Sequence, residues 1–262
     1  MKNISYQARL DQSEQISPDT YIISLYCPEL IGKFKAGQFM EIDCGGFLYR
    51  PFALMEEDLC KNHLKIGVKA IGENTRRLVS FPIGTELTIL GPLGKGFDLN
   101  AYDKVWAVGG GSGIFPLKMA LQEAEQQGKD TCLVCGFRSE EEAFPRSLFA
   151  EVCDLLVYSS DRGGLDFHGH AGDCFSAFYK PSPNPQKEVI LACGPIPLMK
   201  YLQGFAVERG IDCQISLEEN MACGLGLCSG CAVDVKNSKG EIERLRCCHE
   251  GPVFNAKDLI FE

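Results

Sequence analysis

Met221-Ala-Cys-Gly-Leu-Gly-Leu-Cys-Ser-Gly-Cys231 sets Cys223, Cys228 and Cys231 in a C-x4-C-x2-C array, and a further pair, Cys247 and Cys248, follows a short polar segment. Three closely spaced thiolates joined by a fourth from farther along form the plant-type spacing for a two-iron two-sulfur (2Fe–2S) cluster. Gly224, Gly226 and Gly230 stand between the candidate ligands. There the missing Cβ lets the backbone curl and aim N–H groups at an anionic centre. A structural zinc site is one alternative, but such sites usually show two short cysteine hooks, whereas this stretch has one compact triplet and a lone partner. A disulfide pair is the other, and it fits poorly in a chain expected to stay in reducing surroundings. A 2Fe–2S cluster passes electrons singly, so other parts of the chain must supply and remove them.

The 262 residues suffice for two compact domains and a small appended module. Hydrophobic content of 45% and charged content of 23% are those of an ordinary globular protein. A formal net charge of −9 argues against a nucleic-acid surface, and no basic run suits a membrane surface. The segment Met1 to Arg9 lacks the apolar core of a signal peptide, and no apolar run reaches transmembrane length, so the expected compartment is the cytoplasm. Cysteines such as Cys27, Cys153 and Cys193 are scattered among apolar residues and read as small buried hydrophobes. Cys132 and Cys135 form C-x-x-C, but within the apolar run Thr131–Phe137. On a buried strand their side chains point to opposite faces, which favours packing over a redox or metal role. His168 and His170 flank Gly169 in a polar loop without a nearby acid, and surface placement is the plainer reading. No Ser-His-Asp or paired-carboxylate arrangement stands out.

Up to about Asp98 the chain reads as short strands, among them Thr20–Tyr26, Gln38–Asp43, Leu64–Ala70 and Glu86–Leu90, separated by Gly and Pro breaks. That pattern predicts a small antiparallel barrel. Arg50, set before Pro51 in an extended segment, can present its fork to a phosphate while Phe52 offers a face to a ring, although a strand with a solvent-facing arginine explains it as well. After Gly67–Lys69, Asn74 or Thr75 can cap a short helix whose N-terminus suits a pyrophosphate. Together the two segments make a dinucleotide clamp. Beyond Lys104 the pattern changes. Val105–Val108 reads as a buried strand feeding Gly109-Gly-Gly-Ser-Gly-Ile-Phe-Pro116 and a helix, the context that gives a glycine turn meaning. Strands over Thr131–Phe137, Asp154–Tyr158 and Glu188–Cys193 alternate with helices near Glu140–Glu151, Ala171–Tyr179 and Pro197–Arg209, which predicts a parallel α/β domain.

This order of parts resembles the ferredoxin-reductase superfamily, and more narrowly the electron-transfer subunits of type 1B (NAD-dependent) dihydroorotate dehydrogenases. The resemblance covers nearly the whole chain. Its most specific part is Ser216-Leu-Glu-Glu-Asn-Met-Ala-Cys-Gly-Leu-Gly-Leu-Cys-Ser-Gly-Cys231, followed by Cys248-His-Glu-Gly-Pro-Val-Phe254. It implies a mixed β and α/β fold: an antiparallel flavin-binding barrel over 1–100, a Rossmann-like α/β nicotinamide domain over 101–212, and a 2Fe–2S module over 213–262. The implied cluster ligands are Cys223, Cys228, Cys231 and Cys248, the last because the family's fourth ligand stands three places before Gly-Pro-Val-Phe. FAD is implied on the barrel, where Arg50, Pro51, Phe52 and Ala53 match an Arg-Pro-x-Ser segment. Gly67, Val68 and Lys69 match a second flavin contact, and Asn74 with Thr75 matches Gly-Thr at the pyrophosphate. Gly110, Gly111, Ser112 and Gly113, with Cys193, Gly194 and Pro195, match the nicotinamide pocket, with NAD as a diffusible co-substrate. Two positions depart from the family. Ala53 replaces a hydroxyl residue near the flavin's reactive edge, and Asn74 replaces a glycine whose left-handed conformation asparagine tolerates next best. In Ser159-Ser-Asp-Arg-Gly163, Asp161 suits a free ribose 2′-hydroxyl and Arg162 a 2′-phosphate.

The resemblance also implies a partner, an FMN-bearing dihydroorotate dehydrogenase catalytic subunit, in an assembly of two of each with the cluster module at the interface. The implied reaction oxidises dihydroorotate to orotate with NAD as final acceptor, in pyrimidine (UMP) biosynthesis. Electron counting agrees: NADH delivers a two-electron hydride, the cluster takes single electrons, and a flavin belongs between them. Related subunits of electron-bifurcating transhydrogenases and cytoplasmic hydrogenases carry the same cofactors and send electrons to ferredoxin or another flavoprotein. The Gly251-Pro-Val-Phe254 ending favours the pyrimidine reading. A redox sensor that acts by binding is a third reading, against which the intact nicotinamide pattern speaks.

Overall fold

The computed structural model describes residues 4–261. Strands β1 (Ser5–Ser17), β2 (Thr20–Tyr26), β3 (Phe39–Ile42), β4 (Arg50–Ala53), β5 (Glu56–Asp58) and β6 (His63–Lys69) are followed by helix α1 (Glu73–Ser80) and β7 (Glu86–Leu93). They form one antiparallel sheet in the order β4-β3-β7-β1-β2-β6-β5. Period-two patterning explains it: along β6, Leu64, Ile66 and Val68 are fully buried while the residues between them are only partly so. The link between β4 and β5 closes the sheet into a barrel. Leu54 N–H donates to the Gln38 carbonyl (3.1 Å) and Met55 N–H to that of Lys65 (2.9 Å), so both edges find partners.

The second sheet begins with β8 (Lys104–Gly110), helix α2 (Phe115–Gln126) and β9 (Asp130–Phe137). Then come β10 (Leu155–Ser160), the short β11 (Phe167–His168), α3 (Ala171–Phe178), β12 (Glu188–Cys193), α4 (Ile196–Arg209) and β13 (Asp212–Ser216). A hairpin of β14 (Ala232–Lys236) and β15 (Ile242–Arg246) precedes β16 (Val253–Asn255). The sheet order is β11-β10-β9-β8-β12-β13-β16, parallel except that β16 returns antiparallel to β13. The cysteine loop and its hairpin are therefore one excursion between two neighbouring strands of this sheet, which anchors both ends.

One expected helix is absent. Instead of a helix over Glu140–Glu151, the chain makes two 3-10 turns, Glu140–Glu142 and Arg146–Leu148. Pro145 explains this, since it lacks an N–H and pushes Phe144 out of the helical region. Phe144 turns inward and stacks on Phe115 with centroids 4.8 Å apart.

Two of the close contacts between barrel and α/β sheet flank the seam. An added Cβ on Gly67 of β6 would fall 2.1 Å from the Phe115 ring at the start of α2. Nearby, Lys118 of α2 forms an ion pair with Glu56 of β5, which also accepts from Lys65 at 2.7 Å. Burial acts to raise the Glu56 pKa, but the two lysines outweigh it and hold the carboxyl below its usual value. A methyl group at position 67 must push Phe115 out of its seat, and overpacking of this kind costs about 1–3 kcal/mol. Gly67→Ala is expected to lower the urea midpoint accordingly; an unchanged midpoint would contradict this account of the seam.

Candidate functional site

A cavity of 490 Å³ opens along the seam, walled by Pro51, Phe52 and Ala53 of β4, by Gly67 and Lys69 of β6, and by Thr75. From the α/β side it is closed by Ser112, Phe115 and Cys193, and by the segment Ser216–Met221 that follows β13. Val68 lies on the same strand but points into the barrel core. The start of α1 corrects the expected cap. Gly72 is the N-cap, and the helix begins at Glu73, so Asn74 and Thr75 lie within its first turn. Gly72 N–H donates to Thr75 Oγ1 (3.1 Å), which donates back to the Gly72 carbonyl (3.1 Å), a reciprocal closure that needs no capping side chain at Asn74. Nor is Asn74 left-handed; its backbone is helical. Its carboxamide oxygen accepts from Arg50 Nε (2.9 Å) and Nη2 (3.0 Å), which brings two expected flavin residues together.

A second cavity of 510 Å³ sits at the carboxyl ends of the parallel strands, where ligands bind in such sheets. Gly110 at the end of β8 and Gly111 and Ser112 after it line the cavity, as do Arg138 after β9, Asp161 after β10 and Pro195 after β12. Lys69 and Ser112 line both cavities, so the two adjoin. The turns after β8 and β12 touch through glycines. A Cβ on Gly113 would come 2.6 Å from the Cys193 carbonyl oxygen, and Gly194, at φ +144°, lies against the Gly110 backbone. His170 is not without an acid, as the sequence suggested: its Nδ1 is 2.8 Å from Asp161, which the fold carries across from the next strand end. Arg162 is not among the residues lining this cavity. Cys132 and Cys135 are buried in β9, and burial pushes the Cys132 thiol up to about 11 and the Cys135 thiol well above its usual value.

The cysteine loop continues from Met221, which lines the first cavity. Left-handed backbone at Gly224, Gly226 and Ser229 curls it. N–H groups converge on sulfur. Those of Leu227 and Cys228 face Cys223 Sγ (both 3.4 Å), that of Gly230 faces Cys228 Sγ (3.4 Å), that of Cys248 faces Cys231 Sγ (3.4 Å), and that of Gly226 faces Cys248 Sγ (3.2 Å). The thiols sense one another: Cys223 interacts with Cys228, and Cys248 with both Cys231 and Cys223. Desolvation acts to raise the Cys223 pKa, but the surrounding N–H groups outweigh it and bring the thiol down to about 6. Cys247 turns away and donates to the Leu217 carbonyl (3.6 Å), inside the core. Among the described residues no three His, Cys, Asp or Glu side chains are placed to hold a single metal ion. Four thiols within a nest of N–H groups fit an iron–sulfur cluster. All the cysteines are free.

Two features escaped the sequence reading. The Ser216–Met221 wall was visible only as part of a motif, and its place in the cavity follows from β13 lying beside β12. Glu41 of β3 is 1% exposed, and its Oε1 has no hydrogen-bond partner. A Cβ on Gly224 would fall 2.5 Å from its carboxyl, and its register partner on β4 is Pro51, so it stands between the cavity strand and the cysteine loop. Burial first, and then the Cys223 charge, push Glu41 up to about 7. Alternation along β3 places this side chain on the outward face of the barrel, which in isolation reads as solvent.

Comparison with known proteins agrees with this geometry. Residues 218–260 match the family described as the iron-sulfur cluster binding domain of dihydroorotate dehydrogenase B. The dihydroorotate dehydrogenase B (NAD(+)) electron transfer subunit of Caldanaerobacter subterraneus subsp. tengcongensis is 33% identical over 97% of this chain and 98% of its own. Its counterpart from Fusobacterium nucleatum is 30% identical over 97% of each chain. Among solved structures, an NADH-dependent reduced ferredoxin-NADP oxidoreductase studied for electron bifurcation superposes with a TM-score of 0.85 at 25% identity, over 99% of this chain and 91% of that one. The cytochrome b5 reductase domain of Ulva prolifera nitrate reductase shares the fold at 16% identity, with a TM-score of 0.64 over 78% of this chain and 92% of that one. By its identity to these relatives over nearly the full length of both partners, the chain belongs to the family of dihydroorotate dehydrogenase B electron transfer subunits.

Proposed function

We propose that this chain carries electrons between NAD and a dihydroorotate dehydrogenase catalytic subunit, with FAD in the seam cavity and a 2Fe–2S cluster in the cysteine loop. One observation carries the reading: the strand-end cavity, the seam cavity and the cysteine loop are contiguous, joined by Lys69 and Ser112 at one boundary and by Met221 at the other. When bound, FAD exchanges a two-electron hydride for single electrons and the cluster relays these one at a time. The protein's part is to hold and orient. Arg50, fixed by Asn74, offers its guanidinium to the FAD phosphates beside Thr75 and the N-terminus of α1. Pro51, Phe52 and Ala53, with Gly67 and Lys69, form the wall for the ring. Ala53 brings no hydroxyl, and Ser112 supplies the one shared by both cavities. Gly110, Gly111, Ser112 and Pro195 receive the nicotinamide dinucleotide, while Gly113, Cys193 and Gly194 pack the two turns together behind them. Asp161, in the cavity where Arg162 is not, suits the free 2′-hydroxyl of NAD.

Cys223, Cys228, Cys231 and Cys248 are assigned as the cluster ligands, their thiolates stabilised by the N–H groups already aimed at them. In functional terms the chain divides into 1–100 for FAD, 101–212 for NAD and 213–262 for the cluster, the last sharing β13 and β16 with the α/β sheet. The partner is taken to be FMN-bearing, with two copies of each subunit and a cytoplasmic location. Among the described residues no helix is long and apolar enough to cross a membrane.

Cys228→Ser is expected to abolish the cluster's visible absorbance and electron exit while FAD remains bound. Cys247→Ser should keep the cluster, because that sulfur faces Leu217. Retention of the cluster in the first variant, or its loss in the second, contradicts the ligand assignment. Anaerobic co-purification of the tagged chain from its native cell is expected to yield an FMN-bearing subunit that reduces orotate with NADH. Recovery of a large flavin and iron–sulfur subunit instead would replace this reading by the bifurcating one that the similarity to the NADH-dependent oxidoreductase brings forward.

A further inference from the structure

The strand-end cavity poses an electrostatic problem for the ligand proposed for it. A nicotinamide dinucleotide carries an anionic diphosphate, yet three carboxylates, Glu142, Asp161 and Asp173, line the walls. The cationic side chains lining it are Lys69 and Arg138, while His170 is engaged with Asp161. Lys69 reaches in from the barrel, and its Nζ lies 3.6 Å from Glu142 and 3.5 Å from Asp19. These distances are longer than a good hydrogen bond, and the side chains are 27%, 35% and 38% exposed. Pairs of that kind contribute little to stability. The Glu56–Lys118 pair, with side chains 16% and 10% exposed, ties the same seam better. The Lys69–Glu142 contact is thus a poor structural tie placed at the one boundary that both cavities share.

We propose that Lys69 binds the diphosphate of the nicotinamide dinucleotide and that Glu142 competes for it. On docking, the diphosphate displaces the Glu142 carboxylate from Lys69, and the carboxylate turns to solvent with its 3-10 turn. Lysine suits this exchange because its ammonium is a point charge on a flexible stem and does not need the fixed geometry of a guanidinium. The competition holds affinity below what the cavity could reach, which favours turnover of a co-substrate that must leave after each hydride transfer. It also makes Lys69 report dinucleotide occupancy to β6, the strand that walls the seam cavity.

This inference rests on the NAD reading above, and the test separates the two. ADP-ribose, which has the diphosphate but no reactive ring, is titrated calorimetrically into the FAD-loaded full chain, with adenosine as the phosphate-free control. Glu142→Gln is expected to lower the ADP-ribose Kd about 3- to 5-fold at low ionic strength, the scale of one partly exposed ion pair, and less at high salt. Adenosine affinity should not change. The gain should vanish in a Lys69→Gln background and persist in a Lys69→Arg background, which keeps the charge should the neutral variant shed FAD. Equal ADP-ribose affinity in wild type and Glu142→Gln, or the same gain without a cation at position 69, overturns the inference and leaves the NAD reading intact. Failure of the wild-type chain to bind either NADH or ADP-ribose overturns the NAD reading itself, and the inference with it.

Discussion

The bare backbone of Gly67 against the Phe115 ring sets how closely the α/β sheet approaches the barrel, and the candidate site is a consequence of that distance. Phe115 stands where the glycine turn after β8 becomes α2, so seating its ring on β6 brings Ser112 opposite Ala53 and Lys69 across one cavity. The Phe115–Phe144 stack and the Glu56–Lys118 pair hold the contact from either side. Removal of a single Cβ from one strand is what lets residues from both sheets wall one cleft.

The cysteine loop depends on the same assembly. It leaves from β13 and comes back as β16, and on the way it is pressed against the barrel through Glu41 and Gly224. The N–H groups that face sulfur exist because glycine and Ser229 adopt left-handed backbone, and Gly226 could carry no side chain without meeting His249. The loop's own backbone thus directs N–H groups at sulfur, the arrangement that stabilises thiolate charge.

Much of this was legible in the chain itself. Strand positions such as Glu188–Cys193 and the helix start at Ala171 follow directly from hydrophobic pattern and flanking glycines. The cysteine spacing announced its chemistry because metal-ligand geometry leaves few alternatives. What was not legible came from tertiary placement. Glu41 looked like an ordinary outward residue of a half-buried strand, because nothing local says that a loop almost two hundred residues away covers that face. The His170–Asp161 pair joins the ends of separate elements. The missing helix after Glu140 is different in kind: the composition there favours a helix, but Pro145, with no N–H to give, breaks it. At Asn74, a polar residue near a helix start suggested a cap, but Gly72 and Thr75 already close that end, which frees the amide for Arg50.

The central claim is that one chain holds a continuous route from dinucleotide to cluster. Rapid anaerobic mixing of the FAD- and cluster-loaded chain with NADH, followed by flavin absorbance and by the paramagnetic signal of freeze-quenched samples, tests it most directly. The account predicts that the flavin bleaches first and that a reduced 2Fe–2S signal grows as electrons leave it, without any partner present. Flavin reduction with a cluster that stays oxidised over many turnovers' worth of time would show that the cavities and the cysteine loop are neighbours in space but not one electron path.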